Sequence, residues 1–141
     1  VVIASGSPIE KNFWMDHIGY TGPLVNPYDE LTGIENCSFA LKDGGSSEKT
    51  RPLLEQFKLD RHGEKKVKYY SSGMKQRLKI ILAILNDPPL LLLDEAGTNL
   101  DSGGASILHD YLESVRNKKI IVLATNDAAE EKLCSEVIRL G

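Results

Sequence analysis

No apolar run in the 141-residue sequence approaches the roughly 20 residues that a membrane-crossing helix needs. Cysteine is scarce. Cys37 and Cys134 stand far apart with no metal-like spacing, which leaves no zinc-type site and no disulfide scaffold. They read as reduced thiols of a cytosolic protein, a bridge between them being the weaker alternative. Positive charge does not dominate: 17 Lys and Arg face 20 Asp and Glu, a net −3. That balance speaks against a generally nucleic-acid-binding or membrane-surface protein. His17, His62 and His109 are isolated and form no metal spacing. The opening lacks the basic start and long apolar stretch of a signal peptide.

What remains is ordinary globular usage, 41% apolar and 26% charged, with length for one domain and a real core. The chain starts at Val1, directly on the strand-like "VVIA", so a fragment or processed piece is expected.

Residues 1–4 predict a strand closed by the turn-rich "SGSP", and "HIGY" at 17–20 predicts a second. Phe13, Trp14 and Ile18 read as core. The stretch "TGPLVNPYDELTG" is loop-like. Residues 33–70 read as mostly helical and polar, broken at "KDGGSSEK". Leu53, Leu54, Phe57 and Leu59 then recur at roughly helical spacing. From Ser71 to Leu85 the pattern is a helix apolar nearly all round, hence buried, and "NDPP" ends it. "LLLLD" predicts a fully buried strand. A helix near 104–116 follows, then the buried strand "KIIVLA" at 119–124, a short acidic helix from Asp127 and a last strand "EVIRL" at 136–140. That alternation predicts an α/β fold with a parallel sheet, interrupted by a mainly helical insertion.

Two stretches carry chemistry. Asp94 and Glu95 end the buried strand, at the sheet edge where ligands of open α/β folds bind. Adjacent acids on a strand point to opposite faces, so one can serve a magnesium shell and the other an attacking water. The competing explanation is a strand ending in a solvated loop. The second stretch is "YSSGMKQR" at 70–77, where Ser71 or Ser72 caps a helix and Gly73 allows close backbone approach. Free N–H groups at a helix start attract anions, and Lys75 and Arg77 add positive charge. The plainer alternative is a capped helix with exposed basic residues.

Together these stretches resemble the ATP-binding-cassette (ABC) ATPase domain, from just past its phosphate loop to near its end. "YSSGMKQR" resembles the family signature and "LLLLDE" the Walker B strand with its catalytic glutamate. "AGTNLD" resembles the D-loop, with Asp101 as its aspartate. "VLATND" falls at the switch-histidine loop, and "IGYTGPLVNPYDELTGIEN" at the Q-loop and the start of the helical subdomain.

The resemblance implies a P-loop NTPase (RecA-like) parallel sheet, incomplete at its N-terminal side, with an inserted α-helical subdomain. Residues 1–22 would supply core strands, 23–80 the signature subdomain, and 81–141 the core with Walker B, D-loop and switch loop. The cofactors implied are ATP and Mg2+. Two such domains would pack head to tail, and a transmembrane permease would bind the helical part. Nucleic acid is not an expected partner. Ser71, Ser72, Gly73 and Met74 would contact the ATP held by the second domain. Asp94 would hold magnesium, Glu95 would act as general base, and Asp101 would tie the two domains together. The implied location is cytoplasmic, peripheral on the inner membrane face. "YDELTGIEN" and "SSGMKQR" resemble bacterial exporters, those of the haem-export kind among them.

Several positions depart from the family pattern. Pro23 stands at the Q-loop glutamine and Asn126 at the switch histidine, which places them at catalytic positions without the usual chemistry. Met74 replaces the last signature glutamine, Ser72 its first glycine, and Ala96 and Gly97 the usual proline and threonine.

G-x-x-x-x-G-K-[ST], the lysine-bearing phosphate loop, occurs nowhere. The nearest string, "GGSSEKT" at 44–50, puts Glu48 where the last glycine belongs and reads as a polar loop. The family's phosphate loop would lie upstream of Val1, and the chain alone is expected to be inactive. "EKKVKYY" at 64–70 reads as a solvated face. Three functions remain open: the ATPase of a transporter, a soluble ABC protein acting on ribosomes or DNA, and a non-hydrolysing regulatory cassette.

Overall fold

The structure is a computed structural model and describes residues 2–4, 7–9, 14–42 and 47–139. Side chains before residue 16 lie outside the description, as do residues 43–46. Phe13 and the core role of Trp14 therefore fall beyond it.

Strand β1 (Val2–Ala4) pairs antiparallel with β2 (Ser7–Ile9) in a sheet of their own. Ser7 and Pro8 are thus strand, not the turn that "SGSP" predicted. A short helix α1 (Trp14–His17) leads into β3 (Ile18–Thr21). Strands β4 (Leu90–Asp94) and β5 (Ile120–Ala124) complete a parallel sheet in the order β3-β4-β5. Thr21 sits opposite Leu93, and Asp94 opposite Ala124. The three strands therefore end level, with their carboxyl ends on one edge.

Between β3 and β4 lies the helical insertion. Gly22 and Val25 close a turn through Pro23, the residue that fits the second position of such a turn. Helix α2 (Gly33–Ala40) starts on a capping box: Thr32 Oγ1 accepts from Glu35 N, and the Glu35 carboxylate accepts from Thr32 N. Buried Asn36 clasps the preceding loop through Tyr28 N, Tyr28 O and Thr32 O. Helix α3 (Ser47–Gln56) begins inside the segment predicted as a break, so Glu48, Lys49 and Thr50 of the "GGSSEKT" string are helical.

Helix α4 (Ser72–Ile84) follows the cap residue Ser71, whose Oγ accepts from Met74 N at 3.2 Å. Leu78, Ile80 and Ile81 are fully buried in a core shared with Phe57, Leu91 and Leu108. Each such side chain contributes about 1.5–3 kcal/mol relative to exposure. Helix α5 (Ser102–Val115) joins the same core, Tyr111 lying 6.2 Å from Phe57 between ring centres. Helix α6 (Ala128–Glu131) is one turn, capped by Asp127.

Two predictions for the C-terminal part fail. Strand β5 forms, yet Ile120 and Val122 are 68% and 51% exposed. Ile121 and Leu123 pack against the core while the alternate positions are exposed, so only one face of β5 is covered. Glu136–Arg139 form no strand, and Ile138 is 84% exposed.

Candidate functional site

Strand β4 stops at Asp94 because Glu95 turns left-handed, with φ of 51°. The expected alternation of the two acids across a strand does not apply as stated, since only Asp94 belongs to the strand. For an L residue this conformation is uncommon and marks local strain. Backbone bonds hold it: Glu95 N donates to Ala124 O at 2.8 Å, and Thr98 N donates to Glu95 O at 3.1 Å. Among the described residues neither acid's carboxylate has a hydrogen-bond or ion-pair partner.

Both acids, with Thr125 and Asn126, line one end of a groove of about 830 Å3 that runs on along β5 and residues 136–139. A smaller hollow of about 430 Å3 joins Glu95 and Asn126 to Thr98, Asp127 and Glu130. The sequence-predicted acids and the residue at the switch position therefore line one groove. Free, hard carboxylate oxygens beside an open groove fit a hydrated magnesium ion. Glu130, missed in the sequence, is 2% exposed. A Cβ on Gly97 would meet its Oε1, so the threonine usual at that position would require the Glu130 side chain to swing aside.

The helix-start stretch lies against the turn that carries the acids. Asn99 is also left-handed, at φ 66°, and its carbonyl would come within 3.0 Å of a Cβ on Gly73. A side chain at 73 would need that carbonyl to give by a few tenths of an ångström, so glycine fits this close approach best. Three residues on, Gln76 is 8% exposed and its Nε2 donates to Ala96 O at 2.9 Å. It also reaches Glu95 O at 3.4 Å. Arg77 donates to Asp101 Oδ1 at 2.7 Å. The same oxygen accepts from Gly104 N at 2.8 Å, which makes Asp101 the cap of α5. Those two groups, the Gly104 N–H first and then the Arg77 charge, hold the Asp101 carboxyl below its usual value.

The free positive charge expected at the helix start is not there. Arg77 is committed to Asp101, and Lys75 pairs with Asp29 at 2.7 Å. Ser71, Ser72 and Gly73 remain at the exposed or half-exposed tip, with the Ser71 hydroxyl oxygen occupied by Met74 N. Pro23 is exposed in its turn and offers no side-chain oxygen. Gln76 and Glu130 escaped the sequence reading. Gln76 carried one signal: it falls four residues before Ile80 on the buried stripe of α4.

The ABC transporter family matches residues 2–98 of the sequence. The chain belongs to that family. The fluoroquinolones export ATP-binding protein of Mycobacterium tuberculosis is 34% identical over 127 residues, covering 88% of this chain and 42% of that protein. The lantibiotic transport ATP-binding protein of Streptococcus pyogenes is 33% identical over 105 residues, covering 74% of this chain and 46% of that one. A dimeric bacterial ABC transporter cassette superposes with a TM-score of 0.79 at 23% identity, covering 89% of this chain and 60% of that chain. That likeness speaks for the fold, the parallel sheet and helices of an ABC cassette. The chain spans less than half the length of the two curated relatives. Among the described residues no helix is long and apolar enough to cross a membrane.

Proposed function

We propose that the full-length protein is the nucleotide-binding subunit of an ABC transporter, hydrolysing ATP with magnesium to drive a membrane partner. One observation carries this reading: the free carboxylates of Asp94 and Glu95 share a groove with Asn126 at the carboxyl edge of the sheet. Asp94 would hold the magnesium ion, which neutralises phosphate charge during transfer. Glu95 accepts the proton of the attacking water, a general-base role worth roughly 10²–10⁴-fold. Asn126 hydrogen-bonds a phosphate oxygen through its amide and stays uncharged at all pH values.

Ser71, Ser72, Gly73 and Met74 address ATP held by a second domain in a head-to-tail pair. Asp101 Oδ1 serves its own helix, and among the described residues Oδ2 is left for that second domain. Residues 23–80 form the subdomain that meets the permease. Leu24, Tyr28 and Phe39 are 93%, 58% and 69% exposed there, with the two rings edge-on at 5.3 Å, an apolar surface suited to a protein partner. The protein would then sit on the cytoplasmic membrane face. These 141 residues alone, without a phosphate-gripping lysine loop, are inactive.

The test is ATPase activity of the full-length protein beside Glu95→Gln. Hydrolysis in the wild type, reduced at least about a hundredfold in the variant, is the expected outcome. A second reading, a regulatory cassette that binds without hydrolysing, is favoured by Pro23 and Asn126. It predicts ATP binding with no turnover in either protein.

A further inference from the structure

Helix α4 touches the acid-bearing turn at three positions spaced i, i+3 and i+4, which lie on one helix face. Gly73 meets Asn99 O, Gln76 meets Ala96 O and Glu95 O, and Arg77 meets Asp101. Of these three, only Gln76 reaches the Glu95 carbonyl, which also accepts from Thr98 N. The Glu95 carboxylate has no partner among the described residues, so its position depends on its backbone. That backbone sits in a disfavoured left-handed state, which persists only where surrounding bonds over-determine it.

We propose that Gln76 is a positioning residue for Glu95. Its buried amide donates to the successive carbonyls of Ala96 and Glu95 and steadies the acid's left-handed turn. The inference rests on the hydrolytic role of Glu95 above and extends it. One and a half turns separate Gln76 from the Ser71 cap at the tip of the same helix. That tip serves the nucleotide of the second domain, whereas Glu95 serves the nucleotide of its own. Gln76 therefore makes the acid of one site respond to the seating of α4 at the other.

The chemistry selects the variants. Gln76→Met keeps size and removes the donor. Gln76→Asn keeps an amide but falls one carbon short of Ala96 O. Each is made in the full-length protein, beside wild type and Glu95→Gln, and kcat, KM for ATP, nucleotide affinity and thermal midpoint are measured. Gln76→Met should lower kcat about tenfold or more, since small misplacements of a reacting group are costly. KM and affinity should stay within about twofold, the pattern of an interaction felt only in the transition state. Gln76→Asn gives the same split if the methionine variant does not fold. A kcat that is unchanged, or that falls only in step with affinity and thermal midpoint, overturns the proposal and leaves Gln76 a packing residue. If activity is lost in Glu95→Gln but kept in both Gln76 variants, this inference alone fails. If activity survives in Glu95→Gln, the assignment of Glu95 fails and takes this inference with it.

Discussion

Arg77 and Asp101 meet at 2.7 Å and join the second turn of α4 to the first residue of the α5 cap. The contact spans the two motifs that sequence analysis treated separately, and it explains why Asp101 is aspartate even before any second domain is considered. A carboxylate there caps one helix and anchors another.

Its pH dependence follows from sign. The folded protein holds the Asp101 carboxyl below its usual value, so the stabilisation is present above the unfolded value of about 3.9 and disappears as pH falls through the folded one. Asp101→Asn in the full-length protein should lower the thermal midpoint at pH 7, and the gap to wild type should close on acidification below about pH 4. Thermal scans between pH 3 and 7 check this. A gap that widens toward acid would contradict the assigned bonding.

Cys37 is fully buried, and burial pushes its thiol up to about 12. It should resist iodoacetamide at pH 8 in the folded protein and react on unfolding. Cys134, partly exposed, should react first where no partner covers it. Peptide mass spectrometry of labelled protein reads both sites. Early modification of Cys37 would mean that the α2 side of the core opens readily.

Leu91 lies within the middle strand with no exposed surface. Leu91→Ala should cost about 2–5 kcal/mol through lost transfer energy and a cavity. Denaturant unfolding of the full-length protein measures it. A cost below about 1 kcal/mol would mean the site collapses or the core is looser than described.

Elements whose signal is local were legible. Four leucines ending in an acid marked β4, and Ser71 before an apolar run marked α4 and its cap. The parallel order β3-β4-β5 was not, because β3 and β4 pair across about seventy residues of intervening chain, where sequence periodicity says nothing. β4 and β5 looked fully buried because their runs are apolar, yet β4 alternates buried and half-buried residues and β5 half-buried and exposed ones, each with one better-covered face. The acids, the helix tip and Asn126 were singled out by motif, and the structure places the acids and Asn126 along one groove. Gln76 was not, because a polar residue between Lys75 and Arg77 looks solvent-facing until the helix phase is set by Ile80. The Thr32–Glu35 capping box was readable from its spacing and went unread.

The crowding of Gly73 against the Asn99 carbonyl has a practical corollary for chimeras. Transplanting residues 70–77 from a relative into this chain would import a surface shaped for a foreign 96–101 loop. A working hybrid therefore needs both pieces from the same donor, moved as a matched set.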